Sequence, residues 1–264
     1  MSNQRKVLHD EILKTAEKIQ KLTSPLSTKN IPIKRSSWTI DTALAHLVIS
    51  QKLSKDILQG DKNPYKNADP EIVAATNSQL LNEFKVRNYK LLGTMFIANT
   101  KDFLQATKSV QDDYAIQTHY GKMSILTCLS YNLCHLLIHG SQISLALKKQ
   151  LVFKEKHFPM ILPFLKQAML VTFDKKAAKS FSGSYTIHLQ NSIEFSIVIK
   201  KGKLEIKNFP MDRVDCHIAT DSISYFLIST DVLNQWQLLL RGKVRIWGSK
   251  PWIALRLRML FKSP

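Results

Sequence analysis

Two histidines, His135 and His139, lie four residues apart in the segment CHLLIHG. The segment belongs to a run from Met123 to Leu147 that contains no Lys, Arg, Asp or Glu. Residues at positions i and i+4 share one face of a helix, so both imidazoles can reach the same point in space. This pair suits a divalent metal, because imidazole nitrogens bind Zn²⁺ at about 2.0–2.1 Å. Two ligands do not complete a site, and a pair of packed core histidines is the other interpretation.

A third candidate ligand, His46, lies in the apolar segment DTALAHLVIS. It shares a helical stripe with Ala43, Ile49 and Leu53, which is the face that a bundle helix buries. An isolated histidine there is more often a hydrogen-bonded core residue than a ligand. Three buried neutral imidazoles that converge each need a partner, and one metal ion meets that need for one nitrogen of each ring. Spacing alone leaves both interpretations open.

Other reactive side chains give weaker signals. Cys134 precedes a candidate ligand and can be a reactive thiol, but a buried structural cysteine is the simpler interpretation. The pair Asp112 and Asp113 is typical of a solvated loop. The odd number of cysteines, at no recognisable spacing, argues against a disulfide framework. We identify no general base from the sequence.

The first half of the chain reads as helices. Helical periodicity covers Gln4 to Leu22, and a second helix in SSWTIDTALAHLVISQKLSKDILQG is expected to be capped by Thr39 or Asp41 and ended by Gly60. The remaining helical segments are 71–84 with 86–99, and a helix from about residue 122 to residue 149 that contains the uncharged run. Residues 103–107 are ambiguous. Four main helices with short connections predict an up-and-down four-helix bundle over residues 1–152.

The pattern changes after a short apolar helix at residues 157–173. From Ser184 the apolar period drops to two, and IEFSIVIKKGKLEIKNF reads as a hairpin that turns at Lys201 and Gly202. RVDCHIAT and RGKVRIW read as further strands, residues 221–240 as helix, and Pro251 as the start of a last helix. Residues 153–264 are therefore predicted to form an α+β domain with a small antiparallel sheet, which makes the chain a multi-domain protein.

The charge composition of the chain indicates which classes of partner it can bind. A net charge of +18, from 38 Lys and Arg against 20 Asp and Glu, favours anionic partners. No block of five or more like charges appears, so a solvated lysine-rich surface explains the charge equally well. No helix-turn-helix, zinc-finger or RNP pattern is present, and we expect no nucleic-acid partner.

The compartment also follows from the sequence. The N-terminal segment is charged and lacks the apolar core of a signal peptide, so we expect a cytoplasmic protein. Met123 to Leu147 is long enough to span a bilayer but carries many polar side chains, which favours a buried bundle helix.

The segment SSWTIDTALAHLVISQKLSKDILQG resembles the W-T-V-x-x-x-L-A-H-L motif of the DinB-like, mycothiol-dependent maleylpyruvate isomerase family. The resemblance covers roughly residues 5 to 150. It implies a metal held by His46, His135 and His139. His135 stands where the isomerases usually have Glu, and the all-histidine set is similar to the bacillithiol-transferase branch of DinB-like proteins.

The resemblance further implies a bacterial, metal-dependent and thiol-dependent isomerase or transferase that acts on a small electrophile. Its cofactor would be a divalent ion such as Zn²⁺, and its cosubstrate a low-molecular-weight thiol such as mycothiol or bacillithiol. Three neutral histidines leave the ion its full charge and an open position, the arrangement of catalytic zinc.

The C-terminal half resembles the sterol carrier protein type two (SCP2) family in FSGSYTIHLQNSIEFSIVIKKGKLEI, VDCHIATDSISYFLIS and LLLRGKVRIWGSKPWIALRLRMLF. That resemblance implies an apolar cavity for a fatty-acyl or sterol-like ligand, and hence a non-enzymatic lipid carrier as the alternative function. An ordinary packed core explains the periodicity equally well. Arg241 and Arg245 are candidates for contacting an acidic substrate. The residues Trp247, Trp252, Arg256, Arg258 and Lys262 could instead rest on an anionic membrane, although a helix that caps the core is the simpler interpretation.

Overall fold

The computed structural model describes residues 2–27, 30–190 and 193–262. It divides into two compact units, residues 1–165 and 166–263. The division lies later than the predicted boundary at residue 152 because the helix that follows residue 157 begins in the first unit. Phe158 and Phe164 are buried there, and the Phe164 backbone N–H donates to Ser130 Oγ at 3.2 Å.

The first unit is built from helices and one small hairpin. Four long helices form a bundle, and a shorter helix, Pro70–Glu83, packs against the helix Ile40–Leu58. The helices are α1 (Asn3–Thr23), α2 (Ile40–Leu58), α3 (Pro70–Glu83), α4 (Tyr89–Thr107), α5 (Ile125–Ala146) and α6 (Phe158–Thr172).

The predicted up-and-down arrangement did not say which helices are neighbours, and the structure shows this. Helix α1 packs against α4 and α5, and α2 packs against the same two helices. Consecutive helices α1 and α2 therefore occupy opposite corners, as do α4 and α5. The long connections at residues 24–39 and 108–124 are sufficient for these diagonal crossings. As a result, the histidine-bearing helices α2 and α5 are neighbours.

Local sequence signals set the helix ends. The side chains of Ser2, Asn88 and Ser124 accept backbone N–H groups at the starts of α1, α4 and α5, which satisfies donors that have no partner within the helix. Thr39 is the N-cap of α2, as predicted, although its hydroxyl bonds Thr42 rather than the backbone. Gly60 follows the end of α2 with a positive φ of 98°.

The structure decides one segment of the first unit that the sequence left ambiguous and corrects one expectation. The ambiguous residues 103–107 complete α4, with Phe103 and Leu104 in the core. The uncharged helix begins at Ile125 rather than near residue 122, because the residues before it pair in an antiparallel hairpin. Its strands are β1 (Ala115–Thr118) and β2 (Gly121–Ser124).

The second unit is α+β, as predicted. Its sheet has the strand order β5-β4-β3-β6-β7, with β3 and β6 parallel and the other pairs antiparallel. The predicted turn at Lys201 and Gly202 joins β4 to β5, and both residues have positive φ. The strands are β3 (Ser182–Leu189), β4 (Ile193–Lys200), β5 (Lys203–Lys207), β6 (Cys216–Thr220) and β7 (Val244–Trp247).

The helices of the second unit are shorter than the sequence indicates. The single helix expected over residues 221–240 is two helices, α7 (Ser222–Ser229) and α8 (Gln235–Leu240), separated where Asp231 takes a φ of 57°. The last segment combines a 3₁₀ turn at Pro251–Ile253, the short helix α9 (Ala254–Leu257) and a second 3₁₀ turn at Arg258–Leu260. Across the described residues, no helix combines the length and apolarity needed to cross a bilayer.

Candidate metal centre

The three predicted histidines meet between α2 and α5. His46 lies on α2, and His135 and His139 lie one turn apart on α5. The Nε2 atom of His135 is 2.9 Å from Nε2 of His46 and 3.2 Å from Nε2 of His139. One ring nitrogen from each residue lies within 4.8 Å of those from the other two, and no other such group of three His, Cys, Asp or Glu occurs among the described residues.

Hydrogen bonds at the opposite side of the rings fix which nitrogen faces the centre. Nδ1 of His139 is 2.8 Å from Gln142 Oε1, an acceptor, so this nitrogen carries the proton and Nε2 keeps its lone pair. Nδ1 of His135 lies 3.3 Å from Ser50 Oγ, and donation to this hydroxyl gives the same tautomer. Lone pairs that face one another at these distances repel unless a cation lies between them.

The surroundings keep the three rings neutral. His46 is only 5% exposed, and His135 and His139 are half-buried. Burial lowers the pKa of His139 to about 4, and it lowers the pKa values of His46 and His135 well below the usual range. Neutral imidazole is the form that binds a metal, so these rings need not release protons first.

The donor set fits a divalent ion. Three nitrogens at 2.0–2.1 Å from a tetrahedral ion lie about 3.3 Å apart. The two short separations, 2.9 and 3.2 Å, are close to this value, and all three nitrogens lie within 4.8 Å of one another. Three neutral protein ligands also leave a coordination position open, as in catalytic zinc sites.

Trp38 covers one side of the histidines. Its ring centroid is 4.8 Å from that of His46 and 5.7 Å from that of His139, with the latter pair stacked at 24°. Sequence reasoning gave no role to Trp38, Ser50 or Gln142. Two of them carried a usable signal: Ser50 follows His46 by four residues and Gln142 follows His139 by three, so each shares a helical face with a ligand.

A small cavity of about 30 Å³ lies next to His135. Ser50 and Tyr131 line it, and both contact the His135 ring. His119, in the turn between β1 and β2, also lines it, with its ring beside those of Tyr65 and Tyr131. The volume accommodates roughly one water molecule. The sequence did not single out His119, because it belongs to the hairpin that the periodicity missed.

The other candidates of the first unit are structural. Cys134 is fully buried, and burial raises its thiol pKa above the usual value; Cys128 is similarly buried, with its pKa raised to about 12. Neither is a reactive thiol. Asp112 forms an ion pair with the buried Arg5, whose guanidinium also donates to the carbonyls of Thr107 and Val110. Asp113 is exposed.

Comparisons with known proteins find one similarity for the second unit and another for the chain as a whole. Residues 167–262 match the SCP-2 sterol transfer family. Among solved structures, a mutant of the mycothiol-dependent maleylpyruvate isomerase superposes with a TM-score of 0.54 at 10% identity, over 93% of this chain and 95% of that one. This likeness confirms the predicted fold, a helical bundle followed by an SCP2-like unit.

Two further structures are less similar. A second structure of that isomerase gives a TM-score of 0.48 at 10% identity, covering 86% of this chain and 90% of that one. The inverting sec-alkylsulfatase Pisa1 from Pseudomonas sp. gives 0.35 at 9% identity, covering 88% of this chain and 34% of that one. No curated protein matches the chain by sequence.

Both arginine candidates lie in the SCP-2 region. Arg241 ends α8 and Arg245 lies in the edge strand β7, opposite Ala219 of β6. Both are exposed. Their contact with an acidic substrate stays a prediction.

Proposed function

We propose that the first unit binds a divalent metal ion, such as Zn²⁺, through Nε2 of His46, His135 and His139. We further propose that the protein is a cytoplasmic thiol-dependent transferase or isomerase acting on a small electrophile. The observation that supports this most directly is the convergence of three ring nitrogens, from two helices, within 4.8 Å of one another. The shared fold with a mycothiol-dependent isomerase supports the reaction class.

When bound, such an ion supplies a Lewis-acid position at which a low-molecular-weight thiol loses its proton and becomes a nucleophile. The residues of the chain provide the setting for this chemistry. Ser50 and Gln142 hold the Nδ1 side of His135 and His139, which directs both Nε2 lone pairs inward. Trp38 covers the imidazoles of His46 and His139. Water is thereby limited on that side of the site.

The thiol has to come from solution. Cys128 and Cys134 are the cysteines of the first unit, and both are buried with raised pKa values. Neither provides a thiolate near neutral pH. Mycothiol and bacillithiol are the thiols to test first, together with other low-molecular-weight thiols, because the fold neighbour is named for its dependence on mycothiol.

Elemental analysis of the purified full-length protein tests the proposal. We expect about one divalent ion per chain after incubation with zinc and removal of excess, and we expect His135→Gln and His46→Gln to lose it. The matched control is His9→Gln, which removes a buried imidazole of the same unit whose Nε2 bonds Thr107 Oγ1 at 2.8 Å. Absence of metal from the wild-type protein, or equal loss from the His9 variant, would contradict the proposal.

A second function, binding of a fatty-acyl or sterol-like ligand, is supported by the match of residues 167–262 to the SCP-2 sterol transfer family. This proposal predicts that organic extracts of the protein contain lipid, or that a fluorescent fatty acid binds and is displaced by unlabelled lipid. The metal-site variants keep this binding if the two functions are independent. A clean extract together with no probe binding would exclude the carrier function.

A further inference from the structure

The last helical segment of the chain, Pro251–Leu260, is apolar on two opposite faces. Trp252, Leu255 and Met259 are spaced as residues on one face of a helix and are 64%, 37% and 73% exposed. We call these three residues the C-terminal stripe. An apolar face of a helix is ordinarily buried against another element, so this face lacks a covering.

The opposite face holds the segment firmly on the second unit. Ile253, Ala254 and Leu260 are buried. The Ile253 carbonyl accepts the Tyr185 hydroxyl at 3.1 Å, and the Leu260 carbonyl accepts the Asp174 N–H at 2.9 Å. Because the buried face is anchored in this way, the C-terminal stripe cannot fold inward and stays presented to the outside.

The charged residues in the sequence around the C-terminal stripe are all basic. From Val232 to Lys262 the sequence contains no Asp or Glu, whereas it contains seven basic residues. Arg256 is exposed, and its guanidinium lies 5.4 Å from the Phe181 ring centroid. Arg258 and Lys262 follow within the next turns. The basic residues are Arg241, Lys243, Arg245, Lys250, Arg256, Arg258 and Lys262.

We propose that the C-terminal stripe docks the protein on an anionic lipid bilayer surface. Tryptophan favours the membrane–water interface, and each Lys or Arg near an anionic leaflet adds to the attraction. Leu255 and Met259 add apolar area that enters the acyl boundary, while Arg256 reaches the headgroups.

The size of the surface favours a membrane over a second copy of this chain. A stable interface between two proteins buries about 800 Å² on each partner, and three side chains supply only part of that area. A bilayer sets no such minimum, since its headgroups also meet the surrounding cations. The net charge of +18 would moreover oppose association of two copies.

Vesicle co-sedimentation tests the proposal on the full-length protein. We expect binding to vesicles of phosphatidylcholine mixed with phosphatidylserine, weak binding to pure phosphatidylcholine, and a loss of binding as salt is raised. The double variant Trp252→Ser/Met259→Ser is expected to bind anionic vesicles more weakly than the wild type, by a factor of about ten or more. The reason is that the variant cannot bury these two apolar side chains in the bilayer. Arg256→Gln is expected to weaken binding by a smaller factor.

The matched control is Leu91→Ser/Tyr114→Ser, which removes two other exposed apolar side chains, 49% and 50% exposed, both in the first unit. It is expected to bind as the wild type does, and circular dichroism shows whether all variants are folded. Equal binding of both double variants would overturn the proposal, as would no binding by the wild type. A dimer that Trp252→Ser/Met259→Ser converts to monomer, without vesicle binding, would assign the stripe to a second copy instead. None of these outcomes depends on metal binding.

Discussion

The Nε2 atoms of His46 and His135 lie 2.9 Å apart although the two residues are separated by 89 positions in the sequence. Helices α2 and α5 bring them together, and the same face of α5 adds His139 one turn later. At this distance two neutral, buried imidazoles share either an N–H···N hydrogen bond or a cation that both nitrogens bind. This relationship is the physical basis of the proposed metal centre.

The residues that hold the rings are expected to control metal affinity. Gln142→Ala removes the acceptor for Nδ1 of His139, and Ser50→Ala removes the hydroxyl beside Nδ1 of His135. Loss of such partners typically lowers metal affinity about 10- to 100-fold. Competition with a chromophoric chelator measures the zinc dissociation constant of each variant.

Ser54→Ala is the control for this experiment. Ser54 lies one turn after Ser50 on the same helix, but its hydroxyl donates to the Ser50 backbone carbonyl at 2.9 Å rather than bonding a metal-site histidine. Its zinc affinity should equal that of the wild type. Equal affinities for all three variants would show that the hydrogen bonds do not orient the ligands.

The close approach of α1 and α5 depends on Gly140, which follows His139. A Cβ atom at this position would lie 3.0 Å from two side-chain carbons of Ile19 and 3.2 Å from Val152 Cγ2, all in the core. We expect Gly140→Ala to lower the free energy of unfolding by about 1–3 kcal/mol, as overpacked cores do. Urea unfolding followed by circular dichroism measures the change.

Gly93→Ala gives the opposite expectation within another helix of the bundle. Its Cβ would meet the Gln20 side chain, which can move aside, at 3.0 Å. Alanine is up to about 1 kcal/mol more favourable than glycine in a helix interior, so this variant should be neutral or more stable. A stable Gly140→Ala variant would mean that α1 and α5 can separate at little cost.

The half-buried His119 should make the protein sensitive to acid. Burial lowers its pKa from 6.5 to about 4. The unfolded chain therefore binds more protons at this residue between these values, and stability falls as the pH drops from about 6.5 towards 4. Above pH 6.5 His119 does not contribute to the pH dependence of stability. Below pH 4 the loss of stability caused by this residue is complete.

His119→Phe removes this titration and keeps a ring beside Tyr65 and Tyr120. The free energy of unfolding of the variant minus that of the wild type is expected to rise by up to about 3 kcal/mol when the pH is lowered from 8 to 4. The difference measured at pH 8 reports packing alone and serves as the internal control. A difference between the two proteins that is the same at every pH would contradict the expectation. Denaturant unfolding at several pH values measures it.

The sequence predicted most of the helices and strands because their apolar periods, caps and turns are local. It missed the hairpin Ala115–Ser124, whose strands are too short to show a clear period, and it joined α7 to α8 across Asp231. The division at residue 165 also depends on packing, since α6 contributes buried residues such as Phe164 to the first unit. Such outcomes depend on contacts between distant residues.

The sequence by itself determined the chemistry that is available: three imidazoles on two apolar helices, buried cysteines, and a basic C-terminal segment without acids. Only the tertiary structure decided how these groups meet. The diagonal placement of α1 and α2 makes α2 and α5 neighbours, and their contact sets the separation of the ring nitrogens, which no local pattern encodes. The same holds for Trp252 and Met259, because exposure depends on what the rest of the chain leaves uncovered.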